Sequence, residues 1–383
     1  MPRKLMIVTT VPITFTSILN GQPRWLSQHI DIVLVSSHDR KMQQQIEENE
    51  GVKLYNVNMT RRISPIRDLF SICRLALLML RVKPDIVQSY TPKAGLVSML
   101  AGRMMRVPTR VHTFTGLLFP TSTGFRRNLL ILTDRLTAWA ATHVVPEGRG
   151  VADALRGFEI TSKPLKVVGN GNIAGVDLEY FSQRAVGVSE QADLLRRKLK
   201  LPTDAFVYGY IGRLNRDKGL DELVEAFLQQ DDENSWLLCI GPHDNTAPPS
   251  ARTMEVLNSH HRVITLGYVR DVRPGTSLMD VVILPSYREG FPNVLLQANA
   301  MAKPIIGTDI PGSNEIIDHG KNGWIVPPGK AMPLSHVMRQ VRIMQTKERE
   351  RVGEIGREYV SQYFEQGQYR QALLSYYRRV IEE

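Results

Sequence analysis

The chain has 383 residues, of which 43% are hydrophobic and 22% are charged. That length is too great for one ordinary core and suits two α/β domains, while the composition excludes a disordered chain, a fibrous repeat and a solenoid. The net charge of +10 is uneven: residues 1–170 hold 23 Lys and Arg against 11 Asp and Glu, a net charge of +12, and the remainder has a net charge of −2. A basic first half predicts an anionic partner, which could be a nucleic acid, an acidic phospholipid or a diphosphate.

The first half alternates short apolar runs with helical patterns, which is typical of βαβ units and parallel sheets. The predicted strands are Leu5–Val11, Ile30–Ser36, Lys53–Val57, Asp85–Ser89, Arg110–Thr113, His143–Pro146 and Leu165–Val168. Two of the predicted helices are Pro65–Leu80 and Phe125–Ala141. The N-terminal apolar run is too short for a signal peptide, and Leu75–Leu80 is bracketed by Arg74 and Arg81, so we expect a cytoplasmic protein without a membrane span.

A polar, glycine-containing stretch at 170–181 interrupts this pattern, and the alternation restarts after Pro202. The strands predicted in the second half are Ala205–Ile211, Trp236–Ile240, Val263–Leu266, Val281–Pro285, Pro304–Thr308 and Trp324–Val326. The chain is predicted to end in one aromatic-rich helix, about Arg357–Ile381.

These elements predict an α/β fold with two Rossmann-like, doubly wound domains facing a cleft. The predicted domains are residues 1–170 and 204–359, joined by a transition at 171–203, and the terminal helix (about 360–383) is expected to pack back on the first domain. Ligands of such sheets bind beyond the carboxyl ends of the strands, so the loops that follow strands are where the site is expected.

The cysteines and histidines give no sign of a metal site. Cys73 and Cys239 lie far apart in apolar runs, which indicates core thiols in a reducing compartment. No HExxH or CxxC spacing is present, so we expect neither a metal nor a resident cofactor.

The first candidate site follows the strand that ends near Gly212. A polar loop carries Arg213 and Lys218, and a helix begins near Asp221 after Gly219. Two cations beside a helix N-terminus can neutralise a diphosphate without a metal. An ordinary solvated turn with surface cations explains this fragment equally well.

The second candidate site follows the strand that ends at Pro285. Its loop presents Glu289 close to a helix that starts near Asn293. A carboxylate there can accept hydrogen bonds from sugar hydroxyls and stabilise developing positive charge, although a helix-capping acid is the simpler interpretation of Glu289 alone. Gln297 lies about two helical turns further along, on a similar face.

Taken together, these loops carry a resemblance that covers nearly the whole chain. The matching segments are the Gly21-Gln22 loop, TPKAG (Thr91–Gly95), VHTFTG (Val111–Gly116), NGNIAGVDLEYF, GRLNRDKG, SYREGFPN, IPGSNEII and NGWIVPPG. In this order they resemble the family-four retaining glycosyltransferases of the GT-B fold. The TPKAG and HTFTG pieces look most like enzymes that extend lipid-diphosphate-linked capsule, O-antigen or N-glycan precursors.

The resemblance implies a role for each matching residue of the second half. Arg213 and Lys218, with Gly212 beside them, would bind the donor diphosphate. Glu289 would contact donor-sugar hydroxyls. The loop that encloses sugar and phosphate comprises Gly290, Phe291, Pro292 and Asn293.

One position departs from the family pattern. The second acid of the family's E-x7-E pattern, which binds ribose hydroxyls, would fall at position 297, where this chain has Gln297. An amide oxygen can still accept a hydrogen bond but loses the charge-assisted part, about 1 kcal/mol, so weaker nucleotide binding is expected.

The resemblance also implies roles for three residues of the first half, where the matching motifs are less specific. His112 matches a family histidine near the reacting centre, although a lone His at a strand end is more often structural. Gly21 would let the backbone approach the diphosphate or acceptor, or would be a plain turn glycine. Lys93 could meet an acceptor phosphate, with a surface lysine as the more ordinary interpretation.

The mechanism and partners follow from the same resemblance. We expect metal-independent transfer with retention from a nucleotide sugar, with UDP the expected nucleotide, to a lipid-linked glycan acceptor. Helix Pro65–Leu80 carries Arg67, Arg74 and Arg81 amid apolar residues, so peripheral binding to an anionic membrane, on the cytoplasmic face of the inner membrane, is also predicted. The other basic residues in this argument are Arg61, Arg62, Arg126 and Arg127, the last two after Phe125.

Three other functions compete with this interpretation. A nucleotide-sugar epimerase can share the fold, and the change at Gln297 is compatible with a catalytically weak sugar-nucleotide-binding protein. Nucleic-acid binding rests on charge alone and lacks a recognisable module, so we expect no nucleic-acid partner.

Overall fold

The computed structural model describes residues 3–60, 64–230, 232–245 and 247–382. The chain forms two compact units: Met1–Gly175 with Gln366–Glu383, and Val176–Glu365. Each unit contains one six-stranded sheet and its own hydrophobic core. The prediction of two Rossmann-like domains is therefore confirmed.

The first unit has a parallel sheet whose strands run in the order β3-β2-β1-β4-β5-β6. The strands are β1 Lys4–Val8, β2 Asp31–Ser36, β3 Leu54–Asn56, β4 Ile86–Ser89, β5 Thr109–Phe114 and β6 His143–Pro146. Its helices up to residue 157 are α1 Ile13–Ser17, α2 Gln22–Ser27, α3 Arg40–Glu50, α4 Pro65–Val82, α5 Pro92–Met104, α6 Gly124–Ala140 and α7 Arg149–Gly157.

Helices cover both faces of this sheet because alternate residues of a strand point to opposite sides. Met6 and Val8 of β1 belong to the core that includes Leu75 of α4. Leu5 and Ile7 belong to a separate core on the other face. Within the described residues, no helix combines the length and apolarity needed to traverse a bilayer.

Two predictions about the first unit are wrong. Leu165–Val168 does not form a strand, and only one bridge, between Val144 and Leu165, links it to the sheet. Pro164 precedes this segment and lacks an N–H for strand pairing, and Gly169 turns the chain with a φ of 59°. Cys73 is exposed instead of buried, because it lies on the outward face of α4.

The second unit repeats the architecture with the order β12-β11-β10-β7-β8-β9, and all six of its predicted strands form. The strands are β7 Phe206–Ile211, β8 Ser235–Ile240, β9 Val263–Thr265, β10 Val281–Leu284, β11 Ile305–Thr308 and β12 Gly323–Val326. Its helices are α8 Val188–Lys198, α9 Leu220–Leu228, α10 Ala251–Ser259, α11 Arg273–Leu278, α12 Asn293–Ala300, α13 Ser313–Ile316, α14 Ala331–Ile343 and α15 Thr346–Tyr363.

The single terminal helix predicted from the sequence is two helices. After α15 the chain breaks at Phe364 and resumes as α16, Gln366–Glu382. The Phe364 side chain is buried in the core of the second unit, and its carbonyl accepts a hydrogen bond from the Val176 amide at 2.7 Å. The packing of Phe364 therefore interrupts the helix. The next helix, α16, belongs to the first unit, where Tyr377 is part of the core.

Candidate functional site

Two loops of the second unit lie side by side at the point where the strand order of its sheet reverses. The strands β7 and β10 are neighbours in the sheet, with Tyr208 paired to Val281. Because parallel strands bring their carboxyl ends to one edge, the loop after β7 (212–219) and the loop after β10 (285–292) lie side by side. The Tyr287 amide donates a hydrogen bond to the Asp217 carbonyl at 3.0 Å.

Gly219 makes this close approach possible. Its φ is 71°, in the left-handed region that disfavours other residues, and a Cβ at this position would overlap with the carbonyl group of Pro285. Gly219 also caps the N-terminus of α9, so the first turn of that helix begins beside the other loop.

Lys218 and Glu289 form an ion pair across the two loops. The Lys218 Nζ donates to the Glu289 Oε1 at 2.5 Å, and the Ser286 hydroxyl donates to the same oxygen at 2.6 Å. The side chains of Lys218 and Glu289 are only 20% and 12% exposed. The two residues predicted to act on one ligand are therefore in direct contact.

Arg213 lies in the loop after β7 but pairs with a different acid. Its Nη1 donates to Asp244, which follows β8, while about half of the Arg213 side chain remains exposed. The buried Tyr210 hydroxyl donates to the Arg213 carbonyl at 2.7 Å and fixes the start of the loop. Burial raises the pKa of Tyr210 well above its ordinary value, so this hydroxyl remains protonated and can donate.

A second ion pair joins the same two loops. The Arg288 Nη2 donates to the Asp217 Oδ2 at 2.7 Å. This pair and Asp244 were missed in the sequence, although each residue lies in a polar stretch that follows a buried strand, which is the signal that identified Arg213 and Glu289.

The remaining predicted donor residues lie at the start of α12. Phe291 is buried and packs against Phe364, with ring centroids 5.4 Å apart, and Pro292 caps the helix that begins at Asn293. Gln297 is partly buried on α12.

Gly212 and Gly290 hold backbone positions of the two loops. The Gly212 amide donates to the Ile240 carbonyl at 2.9 Å, which extends the β7–β8 pairing by one residue. Gly290 lies against Gly312, where a Cβ would overlap with the Gly290 carbonyl. Both glycines therefore position the loops, and neither offers a side chain to a ligand.

His112 does not end a strand as predicted, because it lies inside β5 and is 1% exposed. Its Nδ1 is 2.8 Å from the Ser89 hydroxyl, and its ring fills the space beside Gly95, where a Cβ would overlap with it. Burial lowers the pKa of His112 to about 3, so the ring is neutral. This geometry is that of a packed core histidine, and its catalytic role stays a prediction.

Lys93 is not a surface lysine. It is 9% exposed, and its Nζ forms an ion pair with the Asp68 Oδ2 at 2.5 Å, which links the start of α5 to α4. A buried lysine needs such a partner because desolvation of an unpaired charge is costly. Its contact with an acceptor phosphate stays a prediction.

Gly21 has a φ of 72° and precedes α2. Its amide donates to the Glu50 Oε1 at 2.8 Å, and the Arg24 amide donates to the other oxygen of the same carboxylate at 3.0 Å. Glu50 therefore already occupies the anion position at this helix N-terminus. The contact of Gly21 with a diphosphate stays a prediction.

Two family models match the chain. One, described as a glycosyl transferase 4-like domain, matches residues 22–171, and the other, described as glycosyl transferases group 1, matches residues 205–341. Together they cover most of both units. The chain is therefore a glycosyltransferase with these two domains.

Similar proteins support the family assignment over nearly the full length. The glycosyltransferase is 29% identical over 374 residues to the capsular polysaccharide biosynthesis glycosyltransferase CapM of Staphylococcus aureus, with 96% of this chain and 94% of that protein covered. It is 25% identical over 311 residues to the UDP-Gal:alpha-D-GlcNAc-diphosphoundecaprenol alpha-1,3-galactosyltransferase of Escherichia coli, with 78% and 77% covered. The structure of Anabaena HepE in complex with UDP and glucose matches with a TM-score of 0.80 at 18% identity, over 98% of this chain and 100% of that one. The predicted GT-B fold is confirmed.

Both loops of the candidate site lie inside the group 1 match of this glycosyltransferase, whereas Gly21 falls one residue before the match to the first unit. In the described part of the chain, no group of three or more His, Cys, Asp or Glu side chains is arranged to hold a metal ion.

Proposed function

We propose that this glycosyltransferase moves a sugar, with retention and without a metal, from a UDP-sugar to a glycan carried on a lipid diphosphate in bacterial surface-polysaccharide or glycoprotein-glycan assembly. The observation that carries the proposal is the contact between Lys218 and Glu289 at the edge of the second sheet. It supports the proposal because it brings together the cation proposed to bind the diphosphate and the acid proposed to bind the sugar. The name of the Escherichia coli relative specifies a UDP-sugar and a diphosphoundecaprenol acceptor, and the HepE structure holds UDP and glucose.

The donor diphosphate would be held by charge from three sources. Lys218 and Arg213 supply full positive charges, and the N-terminus of α9 supplies amide N–H groups and a partial positive charge beside Gly219. Because Lys218 is largely buried, its attraction for a phosphate is screened less than that of an exposed lysine.

Glu289 would orient the sugar and stabilise the positive charge that develops as the bond to phosphate breaks. In the proposed front-face substitution, the bond between the anomeric carbon and the phosphate oxygen breaks and the acceptor hydroxyl bonds to the same face of that carbon. The leaving phosphate oxygen takes the hydroxyl proton. The protein contributes positioning and electrostatic stabilisation and forms no covalent bond to the sugar.

The first unit would bring the enzyme to its acceptor. Its net charge of +12 over residues 1–170 favours contact with an anionic membrane, and the proposed acceptor is carried by a membrane lipid. We propose that this contact is made at the cytoplasmic face of the inner membrane.

The deciding experiment measures nucleoside diphosphate release. UDP-sugars are first screened by thermal shift, because a donor that binds the folded state raises its melting temperature. Release of UDP from the selected donor is then measured with and without a membrane extract that supplies lipid-linked acceptors, in the presence of EDTA. Acceptor-dependent release that survives EDTA supports transfer, and NMR of the anomeric proton in the product reports retention or inversion.

The alternatives predict different results. A nucleotide-sugar epimerase would produce an epimer, or release UDP, with no acceptor present. A sugar-nucleotide-binding protein would show the thermal shift without release under either condition. Either result would overturn the proposed transfer.

A further inference from the structure

Helix α4 is apolar on two opposite faces. Its buried face packs Leu75, Ala76 and Met79 into the core of the first unit. Five large apolar side chains on the other face are each more than half exposed: Ile66, Leu69, Phe70, Leu77 and Leu80. The exposed residues recur at spacings of three, four and seven, so they form one continuous stripe. We call them the α4 stripe.

Helix α6 has an exposed apolar stripe of the same kind. Phe125, Leu132 and Trp139 are more than half exposed, and Leu136 is 38% exposed. Their spacings of seven, four and three place them on one face of the helix, opposite the buried Thr137 and Ala138. We call these four residues the α6 stripe.

Both stripes lie on the same side of the first unit. Helix α5 contacts α4 on one side and α6 on the other, and all three pack into the core that contains Met6 and Val8 of β1. Each stripe faces away from its helix's buried side. The two stripes therefore face outward from one helical layer.

The charges around the stripes favour an anionic occupant. Arg67, Arg74 and Arg81 follow one edge of the α4 stripe. On α6, Arg126 is exposed, whereas Arg127 lies over the Phe158 ring and Arg135 donates to the carbonyls of Phe158 and Glu159. The acids of the two helices are few: Asp68 of α4 is buried against Lys93, and α6 contains one, Asp134. The predicted contributors Arg61 and Arg62 lie outside the described residues.

We propose that the α4 and α6 stripes insert into the acyl boundary of a bilayer while the neighbouring arginines contact its anionic headgroups. This proposal deepens the membrane partner named in the proposed function. It adds that the attachment is hydrophobic as well as electrostatic and that two helices provide it. Apolar stripes edged by arginine are what an interfacial helix needs, because the apolar side chains leave water while the charges remain at the headgroups.

The chain carries a native reporter on each helix. Of the four tryptophans, Trp139 of the α6 stripe is exposed, Trp25 and Trp236 are partly buried, and Trp324 is buried. Cys73 is exposed on α4 four residues from both Leu69 and Leu77, whereas Cys239, the other cysteine, is fully buried. A thiol-reactive, environment-sensitive dye will therefore label Cys73 selectively.

The test is binding of the full chain to phosphatidylcholine vesicles with and without phosphatidylglycerol, measured by co-sedimentation at about 0.15 M and about 1 M salt. The Debye length falls from about 8 Å to about 3 Å between these conditions, which weakens the electrostatic part and leaves the hydrophobic part. We expect binding to anionic vesicles that is reduced but not abolished at high salt. The tryptophan emission and the Cys73 dye should both shift to shorter wavelength, and the tryptophan shift should be lost in Trp139→Phe, which keeps a large apolar side chain in the α6 stripe.

Three double variants distinguish the helices from the rest of the surface. Phe70→Ser with Leu77→Ser, and Leu132→Ser with Trp139→Ser, are each expected to lower the vesicle partition coefficient about tenfold or more. Met332→Ser with Ile343→Ser removes two exposed apolar residues of the second unit and should leave partitioning unchanged. All variants should keep the thermal shift with UDP, which reports folding and donor binding independently of the membrane.

Several outcomes would overturn the proposal. The first is that the chain binds neither kind of vesicle. The second is that binding disappears at high salt and is equally strong in the stripe variants and the unmodified protein. The third is that the tryptophan emission and the Cys73 dye do not shift when the chain binds. A change of oligomeric state in the stripe variants without a change in partitioning would instead identify the stripes as a protein interface. If UDP does not raise the melting temperature of the unmodified protein, the proposed function is contradicted. The vesicle result is then judged on its own.

Discussion

Lys218 and Glu289 are joined by a hydrogen-bonded ion pair whose Nζ and Oε1 atoms are 2.5 Å apart. The cation proposed for the diphosphate is therefore paired with the acid proposed for the sugar. A bound nucleotide sugar would replace both partners, with a phosphate oxygen at Lys218 and sugar hydroxyls at Glu289. Under the proposed function, Glu289 would then compete with any nucleotide that lacks a sugar for Lys218.

The first prediction tests this exchange with Glu289→Gln. Removing the carboxylate charge frees Lys218 for phosphate, so UDP is expected to bind about fivefold more tightly, because the charge-assisted part of the competing bond contributes about 1 kcal/mol. Turnover is expected to fall about a hundredfold or more, because the charge that stabilises the transition state is lost. Calorimetric titration with UDP and the UDP-release assay measure the two effects.

The matched control for Glu289→Gln is Asp217→Asn. Asp217 pairs with Arg288 across the same two loops, so this variant loses one carboxylate charge from the loops without touching the Lys218–Glu289 pair. Its turnover should fall much less. Near-native turnover of Glu289→Gln would show that this acid has no role in the chemistry.

The second prediction concerns the amide at Gln297. Replacing it with glutamate is expected to tighten binding of UDP and UDP-sugar about fivefold, since a charged acceptor for ribose hydroxyls adds about 1 kcal/mol. The maximal rate should change little because the ribose is remote from the reacting bond. Gln297→Leu removes the acceptor and should weaken binding, and equal dissociation constants for all three proteins would remove Gln297 from the nucleotide site.

The sequence could predict what depends on local pattern. Strands such as Phe206–Ile211 are buried β-rich runs, and the loop after each is polar, so Arg213 and Glu289 were identified as site residues. Each of these residues follows a strand of a parallel sheet, and the carboxyl ends of such strands lie at one edge, where ligands bind. The contact between Lys218 and Glu289 lies at this edge of the second sheet.

What the sequence could not predict depends on contacts between distant segments. Lys93 is buried because Asp68 on another helix pairs with it, and the terminal helix breaks because Phe364 packs in the second unit. The His112 ring is enclosed next to Gly95, while its predicted catalytic role remains a prediction. None of these partners is within helical or strand spacing of its residue, so periodicity gave no signal.

The third prediction is that Gly219→Ala separates the two loops. The residue has a φ of 71° and no room for a Cβ beside Pro285, so the substitution combines backbone strain with a steric overlap. We expect a loss of about 3 kcal/mol or more in the free energy of unfolding, measured by urea denaturation, and a loss of UDP binding. Gly267→Ala is the control, because Gly267 has a similar φ of 65° with no atom near its Cβ position. Comparable losses in the two variants would show that strain alone matters and that loop contact does not.

The last prediction uses the buried His112 to separate a structural from a catalytic role. Its pKa is lowered from 6.5 to about 3 by burial, so below pH 6.5 the unfolded chain takes up a proton that the folded protein does not. The stabilising contribution of neutral His112 is therefore complete above pH 6.5 and decreases as the pH falls, by about 2 kcal/mol at pH 5. The melting temperature of the unmodified protein should fall between pH 7 and pH 5, and His112→Gln should reduce this fall by about 5 °C. The exposed His38→Gln is the control and should leave the fall unchanged. At pH 8, where both states of His112 are neutral, a structural histidine predicts that His112→Gln retains turnover while its melting temperature changes, whereas a large loss of turnover in a folded variant would restore the catalytic role predicted from the family.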